Sequence, residues 1–93
     1  MDKKKLQKAR NSIDRLDNNI FKLIKKRTNI VKYMMSLKQH PNQIIDRKRI
    51  KEILYKIRKK SIKNKLDPKI TTRIWKSMIW SYVDYQKRKF TKK

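Results

Sequence analysis

The chain has 93 residues, of which 30 are Lys or Arg and only 7 are Asp or Glu, giving a formal charge of +23 with neither Cys nor Gly. Those counts exclude a disulfide framework, a thiolate metal site, a thiol nucleophile and the Gly-rich loops that cradle phosphates or dinucleotides. A single domain spanning 1–93 is expected, and because a globule this small buries only about 60 to 65% of its unfolded surface, a partner chain would help it.

The basic start from Met1 to Lys5 runs into Leu6-Gln7-Lys8 rather than an apolar core, so it does not read as a secretory signal. No stretch approaches the roughly 18 apolar residues of a membrane span. A soluble, cytoplasmic chain is the expectation. The charge points first to nucleic acid or an anionic membrane. Yet the cations are 22 Lys and 8 Arg, beside 13 Ile, 6 Asn and one Ala, which is what an AT-rich codon supply produces whatever the function. The charge alone is a weak witness.

Helical periodicity begins at Leu6. Positions Leu6, Ala9, Ile13, Leu16, Ile20, Leu23, Arg27, Ile30, Met34 and Leu37 follow alternating steps of three and four, and nine of these ten are apolar. The spacing predicts a first helix from about residue 4 to residue 39, ending before His40-Pro41, where the residue preceding proline disfavours helix. Such a helix is roughly 50 Å long, too long for the rest of the chain to cover, and a helical dimer is implied. Residues 40 to 44 read as a short loop, with His40 facing solvent and lacking a second ligand at metal-binding spacing.

A second helix is predicted over 46–65, with Asp46 at its start and Ile50, Ile53, Leu54, Ile57 and Ile62 on its apolar face. Leu66-Asp67-Pro68 marks a stop and restart, Asp67 serving as N-cap and Pro68 as the first helical residue. The third helix is predicted over 68–90, with Ile70, Ile74, Trp75, Met78, Ile79 and Val83 inward. No strand pattern or repeat is visible. The fold class is all-α, three helices in an intertwined homodimer.

Several polar side chains fall where apolar ones belong. Arg27 lies on the first helix's apolar stripe, Lys38 falls within about 20° of the same face, Arg47 joins the series Ile50, Leu54, Ile57, and Gln86 joins Trp75, Ile79, Tyr82. A buried charge costs several kcal/mol unless it is partnered, and this core supplies almost no acid, so a small anionic ligand is a candidate counter-charge. Arg10 precedes Arg27 by seventeen residues, about 25 Å of rigid helix, so the two cannot hold one small molecule within a single chain. Across an antiparallel pair of such helices, Arg10 of one chain can approach Arg27 of the other. Taken singly, each residue has a plainer reading: Arg27 snorkels, Lys38 and Arg47 are solvated, Gln86 is a surface amide, and Trp75, Trp80 and Tyr82 are core or interface aromatics.

Taken together, the residues resemble the all-α (type II) chorismate mutases. The match begins at Arg10-Asn11-Ser12-Ile13-Asp14-Arg15-Leu16-Asp17, where that family carries an Arg and then Ile-Asp-x-Leu-Asp, and continues through Arg27, Lys38, Ile45-Asp46-Arg47 and Leu66-Asp67-Pro68 to Gln86. It covers about residues 6 to 90. The resemblance implies a dimeric enzyme of aromatic amino acid biosynthesis, in the shikimate pathway, that converts chorismate to prephenate by a Claisen rearrangement without metal or cofactor. It also implies roles: Arg10 from the partner chain and Arg27 would clamp substrate carboxylates, Arg47 would add a cation near one of them, and Lys38 and Gln86 would donate to the ether oxygen. Two positions depart from the pattern. Lys48 stands where the family usually has a Glu that accepts from the ring hydroxyl, and Tyr82 stands where the mutases usually have Ser. Tyr82 within Trp80-Ser81-Tyr82-Val83-Asp84-Tyr85-Gln86 is similar to the related isochorismate pyruvate-lyases, whereas Arg47 favours the mutase. A basic helical module binding nucleic acid is the reading from another class; no helix-turn-helix spacing or zinc motif supports it.

Overall fold

The computed structural model describes residues 2–91. It consists of α1 (Lys3–Leu37), a short 3-10 turn (Pro41–Gln43), α2 (Arg47–Lys63) and α3 (Pro68–Thr91), with no strand among the described residues. The fold is all-α, and no helix is long and apolar enough to cross a membrane. Two compact units divide it, Met1–Met34 and Met35–Lys93.

The first unit is most of α1. Asp2 caps it, its Oδ1 accepting from the amides of Lys4 and Lys5 at 3.1 Å each, a contact type that contributes about 1 kcal/mol. The expected apolar stripe is present and uncovered: Leu16, Leu23 and Ile30 are each at least 60% exposed. The helix closes at Leu37, two residues before the predicted end. The Gln43 side chain is the local reason, because its Oε1 accepts from the amides of Gln39 and His40 at 2.8 and 3.0 Å and holds them outside the helix. His40 itself is extended, as a residue before proline should be.

The second unit holds the end of α1, the turn, and α2 packed on α3. Asp46 caps α2 by accepting from the Arg49 amide at 3.0 Å, and Asp67 begins α3 by accepting from the Lys69 amide at 2.9 Å. Pro68 takes the first helical position, where its missing N–H costs nothing. Among the described residues the buried apolar side chains are Ile44, Ile79 and Val83, flanked by the half-buried Ile50, Ile53, Leu54, Ile57, Trp75 and Met78.

The inward face differs in places from the periodic expectation. Ile62, Ile70 and Ile74 are more than half exposed in the single chain, while Ser61 and Thr71 are buried and hydrogen-bonded to each other at 2.7 Å. Close approach of the helices near their connection admits two small hydroxyls that satisfy one another, where branched apolar chains would be overpacked. Trp80 is also partly exposed.

The α2–α3 connection carries a residue with a strained backbone. The Leu66 amide donates to Ser61 O at 2.9 Å and the Lys65 amide to Ile62 O at 3.2 Å, a Schellman arrangement that places Lys65 at φ 56°. Glycine ordinarily occupies that left-handed position because a Cβ is disfavoured there. Lys65→Gly is therefore expected to stabilise the fold by about 0.5 to 1 kcal/mol, read as a higher urea midpoint with unchanged slope. A lower midpoint would contradict this account of the turn.

Candidate functional site

Lys38 is the first residue past α1, and its amide closes a final turn on Met35 O at 3.1 Å. From that position its side chain reaches α3, where Nζ donates to Gln86 Oε1 at 2.8 Å. Lysine has no acceptor, so this contact fixes the sense of the Gln86 amide: its oxygen faces Lys38 and its NH2 remains the donor end. Gln86 is only 7% exposed and lies on the α3 face of Ile79 and Val83, which positions it by packing.

The loop after Lys38 folds back beside it. Lys38, Asn42, Gln43, Ile45, Asp46 and Arg47 line one open depression. Buried Ile44 anchors the loop, and Asp46 marks the start of α2. Burial holds the Lys38 ammonium below its ordinary lysine pKa, and the nearby Asp46 carboxylate opposes that shift without cancelling it. The sequence places Asp46 only at the start of the second helix; the structure adds this effect on Lys38.

The other expected site residues divide between the units. Tyr82 is half-buried, one turn before Gln86. Arg47 lines the depression with Lys38 but is exposed in the single chain, not inward on α2, because it is the first residue of that helix and precedes the packed turns. Lys48 follows it and is exposed. Arg27 is half-buried on α1, and Arg10 is exposed on the same helix; both belong to the first unit. Within the second unit, Lys38 thus hydrogen-bonds Gln86 and shares the depression with Arg47. Among the described residues, no three His, Cys, Asp or Glu side chains gather to hold a metal ion.

This pairing of a lysine at the end of a long first helix with a buried glutamine on the third coincides with a family-level match. The chorismate mutase type II family matches residues 9–87. The chain belongs to that family. Its activity, an isomerisation of chorismate, comes with the membership. Arg10, Arg27, Lys38, Arg47, Lys48, Tyr82 and Gln86 all fall inside the matched span. Neither a curated protein nor a solved structure matches the chain significantly.

The depressed pKa of Lys38 has a sign that can be checked. Between its folded value and the higher unfolded value, the unfolded chain holds the proton that the folded chain has released, so stability contributed by this group rises with pH across that window. In an NMR titration the Lys38 side-chain carbon next to Nζ is expected to titrate below the ordinary lysine value. Gln86→Leu should lower it further by removing an acceptor for the ammonium. A midpoint at the ordinary lysine value would contradict the burial.

Proposed function

We propose that this chain converts chorismate to prephenate at a site built around the Lys38–Gln86 pair. What supports the reading is the 2.8 Å contact itself, which joins two residues 48 positions apart that the family pattern assigns to the same substrate oxygen. In the rearrangement the C–O ether bond breaks as a C–C bond forms, and negative charge grows on the ether oxygen. Lys38 Nζ and the Gln86 NH2 are the donors for that charge. Their mutual hydrogen bond and the packing of Gln86 orient them before substrate arrives, so little reorganisation is needed in the transition state. No nucleophile or proton transfer takes part; catalysis consists of holding a flexible dianion in its reactive shape and stabilising developing charge.

The carboxylates need separate cations. Arg47 borders the same depression as Lys38 and serves one side. Arg27 and the partner chain's equivalent of Arg10 serve as guanidinium forks, whose planar geometry suits bidentate contact. This requires a homodimer. The uncovered stripe on α1 supports it, because Ile13, Leu16, Ile20, Leu23, Ile30 and Met34 form an apolar seam that water disfavours and a second α1 would cover. The family match runs through both units, and we treat the whole chain as one catalytic domain acting in the cytoplasm. Lys48, a donor where the family usually has an acceptor, leaves recognition of the ring hydroxyl to another group.

Lys38→Ala and Gln86→Ala are each expected to lower kcat by about 10²- to 10³-fold, as loss of one oxyanion-type donor does, with helical circular dichroism retained. Chorismate and isochorismate assayed in parallel separate the chemistries: prephenate from chorismate supports the mutase, and salicylate from isochorismate with little prephenate would replace it by the lyase to which Tyr82 points.

Sharing of the site between chains has its own test. Arg10→Ala and Arg27→Ala should each be inactive as homodimers, yet a mixed dimer carries one site with both arginines. Random re-pairing of equal amounts should therefore restore about a quarter of wild-type turnover. A mixture as inactive as its components, or a stable monomer with full activity, would sink the shared site.

A further inference from the structure

A second basic groove lies between α2 and α3 and shares no residue with the depression beside Lys38. Arg58 from α2 and Lys69, Arg73 and Lys76 from α3 line it, over a floor that includes Pro68 and Ile70, in an opening of about 440 Å³. That size falls within the range of small-molecule sites. Lys69, Arg73 and Lys76 are spaced i, i+4, i+7, so they form one row along α3, and like charges at such spacing destabilise a helix.

Elsewhere on these two helices the few acids offset such rows: Glu52 pairs with Arg49, and Asp84 pairs with Arg88. Here none does. Among the described residues, Arg58, Lys69, Arg73 and Lys76 have no ion-pair partner. Asp67, the nearest acid in sequence, accepts from the Lys69 amide with its Oδ1 as a cap. The groove thus collects two guanidinium forks and two ammonium groups from two packed helices, without internal neutralisation. Two guanidinium groups are notable in a chain whose cations are 22 Lys to 8 Arg, because the fork rather than the charge is what binds an oxyanion bidentately.

We propose that this α2–α3 groove, formed by Arg58, Lys69, Arg73 and Lys76, binds a small multiply charged oxyanion at a location separate from the Lys38–Gln86 site. Phosphate and carboxylate both present a pair of oxygens that a planar guanidinium fork can meet bidentately, and three or more negative charges match four cations best. The apolar floor favours a ligand with a compact carbon or bridging body over a lone ion.

Calorimetric titration of the intact protein with pyrophosphate and, in parallel, citrate tests this and separates the two sources. At near-physiological salt at least one should bind saturably, and the double variant Arg58→Ala/Arg73→Ala should weaken it by at least about tenfold. The charge-matched control Lys4→Ala/Lys8→Ala, on α1, removes two cations and leaves all four groove cations in place, and should change it less than about twofold, since exposed charges outside the site are screened. Equal losses in both variants would mean diffuse attraction to a +23 surface and would overturn the site. So would binding that survives in the groove variant, or no saturable binding of either anion. All four groove side chains are exposed, so the variants should keep the wild-type circular dichroism, and chorismate turnover, measured separately, does not bear on the outcome.

Discussion

The packing of α2 on α3 is the constraint on which the candidate site depends. Its buried apolar side chains among the described residues are Ile79 and Val83, with Ile44 of the preceding loop also buried, and Gln86 lies one turn beyond Val83 on the same face. That small core fixes the rotation of α3 about its axis, so Gln86 is carried to Lys38 instead of to water. At the opposite end of the pair, the Ser61–Thr71 hydrogen bond and the Schellman turn through Lys65 hold the same two helices in register. A slip of α3 by one residue would rotate Gln86 by about 100° and break the 2.8 Å contact.

The same economy explains the chain's distribution of charge. A chain with 30 cations and 7 acids cannot neutralise itself, so its cations are tolerated where water or an anion can reach them. Lys38 is the informative exception. It is drawn partly out of water, its ammonium is disfavoured by burial, and the nearby Asp46 carboxylate opposes that shift. In the proposed reaction an anionic substrate in the depression beside it would add to the counter-charge that Asp46 supplies only in part.

The exposed seam of α1 belongs to the same account. Apolar side chains at a strict three-and-four spacing are costly to leave in water, and α2 and α3 use their own apolar faces on each other. In the proposed dimer one seam solves two problems, covering apolar surface and delivering Arg10 to a site that cannot reach its own.

The sequence by itself determined the helices and their punctuation. Asp46, Asp67-Pro68 and His40-Pro41 act through local backbone chemistry, and each lies within about two residues of an observed boundary. The candidate residues Lys38 and Gln86 were likewise legible, because polar groups on an apolar period stand out in one dimension. Tertiary structure alone decided what those residues touch. That Ser61 and Thr71 are buried while Ile62, Ile70 and Ile74 are exposed follows from how two helices approach near a tight turn; that Gln86 meets Lys38 follows from the rotation of α3 at the other end, and Arg47 stays at the surface because α2 begins there. Leu66-Asp67-Pro68 marks the turn, but its left-handed residue gave no signal, since it is Lys65 in a chain without glycine. Periodicity reports which way a side chain faces on its own helix; only the packed pair sets the distance to the neighbour, and distance decides whether a small hydroxyl or a branched side chain fits.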